Sequence, residues 1–229
     1  MRYIRFLLAA ALLSLFLCGQ ALAAQTLRLT QEISLPTAKN HVMLKAGSAV
    51  TLNEQGYVLE GTLAKSQFLS SPRISMRFKE DTRVVFDDGG HVIAGTLFAN
   101  ESISNGRYYF RYMAGTQILL NDKGNIIKGI LIREQVIDTG VQKLTVMAGE
   151  PVVFNAAGLL RSGFPVDEQA LDNGLIIVQC QGGQETLFDD SGYLKSGVLA
   201  KDTVLRTPYM RKLFKAGARV TFDRSGIVR

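Results

Sequence analysis

The sequence predicts an all-β repeat protein of six tandem β-hairpin units, each 34 residues long. Three observations carry this. Glycines recur at an interval of 34, apolar residues recur in the same columns between them, and no stretch holds the 3.6-residue apolar period of a helix. One glycine series is Gly56, Gly90, Gly124, Gly158, Gly192 and Gly226, each closing an Asn/Asp-x-x-Gly tetrad. A second is Gly61, Gly95, Gly129, Gly163 and Gly197. A third runs Gly47, Gly115, Gly149, Gly183 and Gly217, with Asp81 in the remaining place.

The apolar columns keep the same phase. Val50, Val84, Ile118, Val152 and Val220 form one, with Thr186 in the fifth unit, and Leu52, Phe86, Leu120, Phe154, Phe188 and Phe222 form another. Leu29 and Leu35 lie one period before Leu63 and Leu69, which fixes the units as 27–60, 61–94, 95–128, 129–162, 163–196 and 197–229. Within the second unit, 74–78 alternates, 83–86 is β-branched and aromatic, 91–97 follows a turn, and a short piece ends at Ile103. The turns have their own chemistry. Asn53, Asp87, Asn121, Asn155, Asp189 and Asp223 open loops that a glycine closes, because an Asx side chain bonds amides two residues on and glycine accepts positive φ. Lys-Ala-Gly at 45–47 and 215–217 suits a tight turn.

An unbroken period favours stacking, in which each column rests on the same column of its neighbour. The expected architecture is therefore a solenoid or stacked-hairpin array. A small six-bladed propeller is the alternative, although propeller blades run to about 40–50 residues. The hairpins are loosely similar to MORN-type repeats, which are also punctuated by glycine. The period differs and the aromatic signature of those repeats is missing, so no family is carried over.

Residues 1–23 read as a signal peptide, with the single β-repeat domain following at 24–229. Arg2 and Arg5 make a basic start, Phe6 to Leu17 is apolar but for Ser14, and Ala21-Leu22-Ala23 is a cleavage pattern. Export to the periplasm or the extracellular space is the expectation. Beyond the leader no run of eighteen apolar residues occurs, so no transmembrane segment is expected after cleavage. The formal charge falls from +6 to +4 when Arg2 and Arg5 leave with the leader, too little to argue nucleic acid as a partner. Cys18 leaves too, and Cys180 alone permits no internal disulfide.

Catalysis, metal and cofactor all lack a signal. His41 and His91 read as surface strand residues, and Cys180 reads as a small core residue in the column of Phe78, Tyr112 and Val146. Asp87-Asp88, Asp122 and Asp189-Asp190 follow turn chemistry and no metal-loop spacing. Glu60, Glu101, Glu134, Asp138 and Asp167 offer no privileged acid pair for a polysaccharide-acting enzyme.

Period-2 counting instead isolates a surface. Ile74, Met76 and Phe78 are assigned to the core face, with Tyr108, Phe110 and Tyr112 and with Ile176, Val178 and Cys180. The opposite face holds Arg73, Arg77 and Lys79 in one unit and Arg107, Tyr109 and Arg111 in the next. Stacking would set like charges side by side, a cost unless an anion or an acid screens them. These six residues are the candidate surface for an anionic ligand. The same face turns apolar at Leu175, Ile177 and Leu213, which either become buried or form a docking face. The expected function is an exported, non-enzymatic binding protein whose partner is an envelope polymer or another exported protein. A self-associating structural or adhesive protein is the alternative.

Overall fold

The structure, a computed structural model, describes residues 24–229; the leader reading falls outside them. The described chain forms twenty-four short strands and no helix. In chain order they are β1 (Gln25–Arg28), β2 (Ile33–Pro36), β3 (His41–Leu44), β4 (Ala49–Leu52), β5 (Val58–Thr62), β6 (Gln67–Ser70), β7 (Ser75–Phe78), β8 (Arg83–Phe86), β9 (Val92–Thr96), β10 (Glu101–Ser104), β11 (Tyr109–Tyr112) and β12 (Gln117–Leu120). They continue as β13 (Ile126–Ile130), β14 (Gln135–Asp138), β15 (Lys143–Val146), β16 (Pro151–Phe154), β17 (Leu160–Gly163), β18 (Gln169–Asp172), β19 (Ile177–Cys180), β20 (Thr186–Phe188), β21 (Leu194–Val198), β22 (Thr203–Arg206), β23 (Arg211–Phe214) and β24 (Arg219–Thr221).

Two kinds of sheet alternate along the chain. One twelve-stranded antiparallel sheet runs β1-β4-β5-β8-β9-β12-β13-β16-β17-β20-β21-β24. Between its strands the chain leaves to form six separate hairpins, β2-β3, β6-β7, β10-β11, β14-β15, β18-β19 and β22-β23, here called hairpins one to six. Strands β1 and β24 stand at opposite edges, so the sheet is open. A propeller would need separate radial blades. A continuous sheet shared by every unit is the stacked array.

The core lies between the sheet and the row of hairpins. From the hairpins come Leu69, Met76 and Phe78 and their repeats; from the sheet come Val84, Phe86 and Val92 and theirs. Phe110 of hairpin three stacks on Phe154 of the sheet, with ring centroids 5.8 Å apart and planes 8° from parallel. The second glycine column makes this approach possible. A Cβ on Gly95 would lie 2.5 Å from the Phe78 ring, and one on Gly129 would lie 2.7 Å from Tyr112. Hairpins one to five therefore each rest their innermost side chain on bare sheet backbone 17 residues on. Cys180 is one of these side chains, fully buried, and burial pushes its thiol pKa up to about 11. Burial likewise raises the pKa of Tyr112, whose hydroxyl has no hydrogen-bond partner.

Both turn types follow the Asx reading. Asp189 Oδ1 accepts the amides of Ser191 and Tyr193 at 2.9 and 3.0 Å, and Asn53, Asn121, Asn155 and Asp223 do the same in their loops. The first five sheet loops each follow a β-bulge, as between Leu187 and Phe188. A second set of caps closes the hairpins. Asn105 Oδ1 accepts the amides of Arg107 and Tyr108, and its Nδ2 donates to the Gly158 carbonyl at 2.9 Å. Thr139 to Gly192 and Asn173 to Gly226 repeat that link, 53 residues ahead in each case. One side chain thus closes its own turn and fastens it to the sheet loop beyond.

Candidate functional site

Register places the outward residues. In hairpin two Phe68 faces Arg77 and Ser70 faces Ser75; in hairpin three Ser102 faces Arg111 and Ser104 faces Tyr109. These outward positions include two arginines, two aromatics and no carboxylate. Hairpin four instead carries Asp138 opposite Lys143, and hairpin five carries Asp172 opposite Ile177.

The six basic-stripe residues divide into three groups. Arg77, Tyr109 and Arg111 occupy outward strand positions, as the alternation requires. Arg77 is held in place: its guanidinium lies 4.1 Å from the Phe98 ring centre and donates to Ser66 Oγ at 2.7 Å. Tyr109 is 70% exposed, and Arg111 is exposed as well. Arg73 and Arg107 belong to the hairpin tips. Arg73 donates to the Lys123 carbonyl at 3.0 Å, and Arg107 lies 3.4 Å from Asp138. Lys79 follows β7, beyond the hairpin ladder. The expected single stripe is therefore an outward patch of three residues, with the tip arginines already partnered by the protein.

The core face also needs a correction. Met76, Phe78, Phe110, Tyr112, Val178 and Cys180 are buried as expected, but Tyr108 and Ile176 are exposed. Counting by twos overran the strand start into the turn. The Asn105 amide donates to Tyr108 O, and the Asn173 amide to Ile176 O, so both residues close turns.

Leu175, Ile177 and Leu213 are all exposed, so the last units do not bury both faces. Ile177 and Leu213 point outward from strands, whereas Leu175 sits in a tip against Gly226. More broadly, of fourteen exposed large apolar side chains, all but Leu27 lie on the hairpins or the links entering them.

The histidines and carboxylates have local tasks. His91 Nδ1 lies 3.2 Å from Asp87 Oδ2, while Asp87 Oδ1 accepts the His91 amide. His41 opens β3 opposite Pro36. Arg83 pairs with Glu60 across the sheet, which lowers the Glu60 pKa and raises that of Arg83. Among the described residues no group of three or more His, Cys, Asp or Glu is placed to hold a metal ion, and no helix is long and apolar enough to cross a membrane.

Two features were not singled out from sequence. A cleft of about 410 Å³ on the last units is lined by Arg161, Lys195, Arg224 and Arg229 together with Asp189, Asp190 and Asp223. Arg161 is 3.0 Å from Asp190, so its charges are largely balanced internally. The other is the tip of hairpin six, where Arg206 faces Arg211. Tabulating the 34-residue columns would have found both. No family model matches this sequence, nor does any curated protein.

Proposed function

We propose that this is an exported, non-enzymatic repeat protein whose hairpin face binds a component of the cell envelope, an anionic glycan or similar polymer. The observation that supports it best is the outward face of hairpins two and three. Arg77 and Arg111 stand there in equivalent positions with Phe68 and Tyr109, and no acid occupies an outward strand position. Arg77 is pre-oriented by Phe98, so little side-chain entropy is lost when an anion arrives. Guanidinium groups bind carboxylate and phosphate in a planar fork, and exposed aromatic rings give sugar rings a flat surface. The leader-like residues 1–23 support export.

Assembly through the array ends has less support. In an end-to-end continuation, Leu27 of a second copy would take the place that glycine holds in the other units, beneath Phe214. Lys212 would enter a column filled elsewhere by Val42, Met76, Phe110, Leu144 and Val178. An oversized side chain and a charge would both have to be buried.

Co-sedimentation with purified cell-wall and outer-membrane fractions across a salt series tests the reading. Binding that weakens with salt and is lost in Arg77→Glu/Arg111→Glu is expected. Salt-independent binding lost only in Ile177→Asp/Leu213→Asp would move the site to the apolar face and favour an exported protein partner.

A further inference from the structure

We propose a second, separate site: the tip of hairpin six, residues 206–211, docks on an anionic phospholipid bilayer. Arg206 and Arg211 are directly opposed, the outward pair nearest the turn. The equivalent pairs in hairpins one to five are Pro36/His41, Ser70/Ser75, Ser104/Tyr109, Asp138/Lys143 and Asp172/Ile177. Only hairpin six places two like charges there, about 5 Å apart at Cβ, an arrangement that costs stability when nothing screens it.

Among the described residues neither arginine forms an ion pair. No acid occurs between Asp202 and Asp223. Asp202 accepts hydrogen bonds from Lys215 Nζ at 2.6 Å and from the Ala216 amide, and Asp223 caps its own loop. Lys212 lies on the other face of the hairpin, opposite buried Leu205, with its ammonium 5.6 Å from the Phe214 ring centre. The two arginines line a hollow of about 270 Å³ with Thr207, Pro208, Tyr209 and Met210. A phosphate seated between two guanidinium groups would supply the missing counter-charge.

The apolar parts identify what carries that phosphate. Tyr209 is 94% exposed and Met210 is 66% exposed, at the very tip. The turn beneath them is fixed, because the Thr207 amide and hydroxyl both donate to Met210 O at 2.8 Å. Val204 and Leu213, the next outward pair, are exposed as well. Tips one to five press on sheet loops at Gly90, Gly124, Gly158, Gly192 and Gly226, while no described residue covers the sixth in this way. A polar glycan would leave these side chains in water. A bilayer interface takes tyrosine and methionine into its apolar boundary while arginine reaches the phosphates.

The site shares no basic residue with hairpins two and three, so the two readings fail independently. The test is sedimentation of residues 24–229 with vesicles of phosphatidylcholine alone and with vesicles containing phosphatidylglycerol. Preferential binding to the anionic vesicles is expected. Arg206→Gln/Arg211→Gln should weaken it about 30-fold, at about tenfold per 1.4 kcal/mol and about 1 kcal/mol for each basic residue at an anionic surface. Tyr209→Ala/Met210→Ala should also weaken it, and Arg77→Glu/Arg111→Glu should not. Both tip pairs are exposed, so the Tyr209/Met210 variant should melt at the wild-type temperature and the arginine variant at or slightly above it, because it loses the like-charge pair. If the arginine variant does not fold, the Tyr209/Met210 variant decides: full retention of binding would overturn the proposal. Equal binding to both vesicle types would also overturn it, as would binding of inorganic phosphate without vesicle binding.

Discussion

The first three units and the last three share one interior and present opposite exteriors. Inside, the columns headed by Val50, Leu52 and Val58 keep their phase from end to end. Outside, the hairpin-tip column reads Lys39, Arg73, Arg107 in the first half and Val141, Leu175, Tyr209 in the second. The bulge column of the large sheet reads Leu59, Ile93, Ile127 and then Arg161, Lys195, Arg229. Basic gives way to apolar in one column, and apolar to basic in the other. Packing against a glycine or a ring restrains an inward residue, whereas an outward one meets only water or a ligand. Under the proposed function the two exteriors bear on binding, and the shared interior bears on the fold.

Breaking the interior should cost the most in either half. Phe78→Ala, which empties the space over Gly95, should destabilise by about 3–5 kcal/mol in denaturant unfolding. Asn105→Ala should cost about 1–3 kcal/mol, because Gly158 O and two turn amides lose their partner together. Tyr112→Phe runs the other way. It removes a buried hydroxyl that has no partner, and should raise stability by about 1 kcal/mol in the same measurement. Exchanging the exteriors should barely register in stability. Arg107→Val/Val141→Arg should stay within about 1 kcal/mol of the wild type, the range of an exposed ion pair such as Arg107–Asp138.

The smallest effect is expected from acid. Asp223 is held below its ordinary pKa of 3.8 by the amides of Ile227 and Ser225. A carboxylate with a depressed folded pKa stabilises fully above its ordinary value and loses that contribution as pH falls through the folded one. The melting temperature should therefore drop below about pH 4. Asp223→Asn should reduce that drop and keep the loop, since Asn53, Asn121 and Asn155 serve identical turns.

Much of the fold was legible because the period exposed it. Asn121 and Gly124 could be read as a loop, and Gly47 and Gly217 as positive-φ positions, from local chemistry alone. The division of each unit between a shared sheet and a private hairpin was not legible. Strand alternation is the same in both, and what separates them is the contact of Phe78 with the bare backbone at Gly95, 17 residues away. Tyr108 was misread for a related reason: it belongs to the turn before β11, which depends on the Asn105 cap that period-2 counting does not register. The partnering of Arg107 by Asp138, and of Arg77 by Phe98, joins residues in neighbouring units, so it emerged only in three dimensions.

The most direct test of interior for fold and exterior for binding is one variant read two ways. Arg77→Glu/Arg111→Glu should stay folded, at a cost of about 1 kcal/mol for the lost Arg77–Phe98 contact, and lose salt-sensitive binding to purified anionic cell-envelope polymer. Unchanged binding in a normally folded variant would contradict the account, and so would loss of the fold itself.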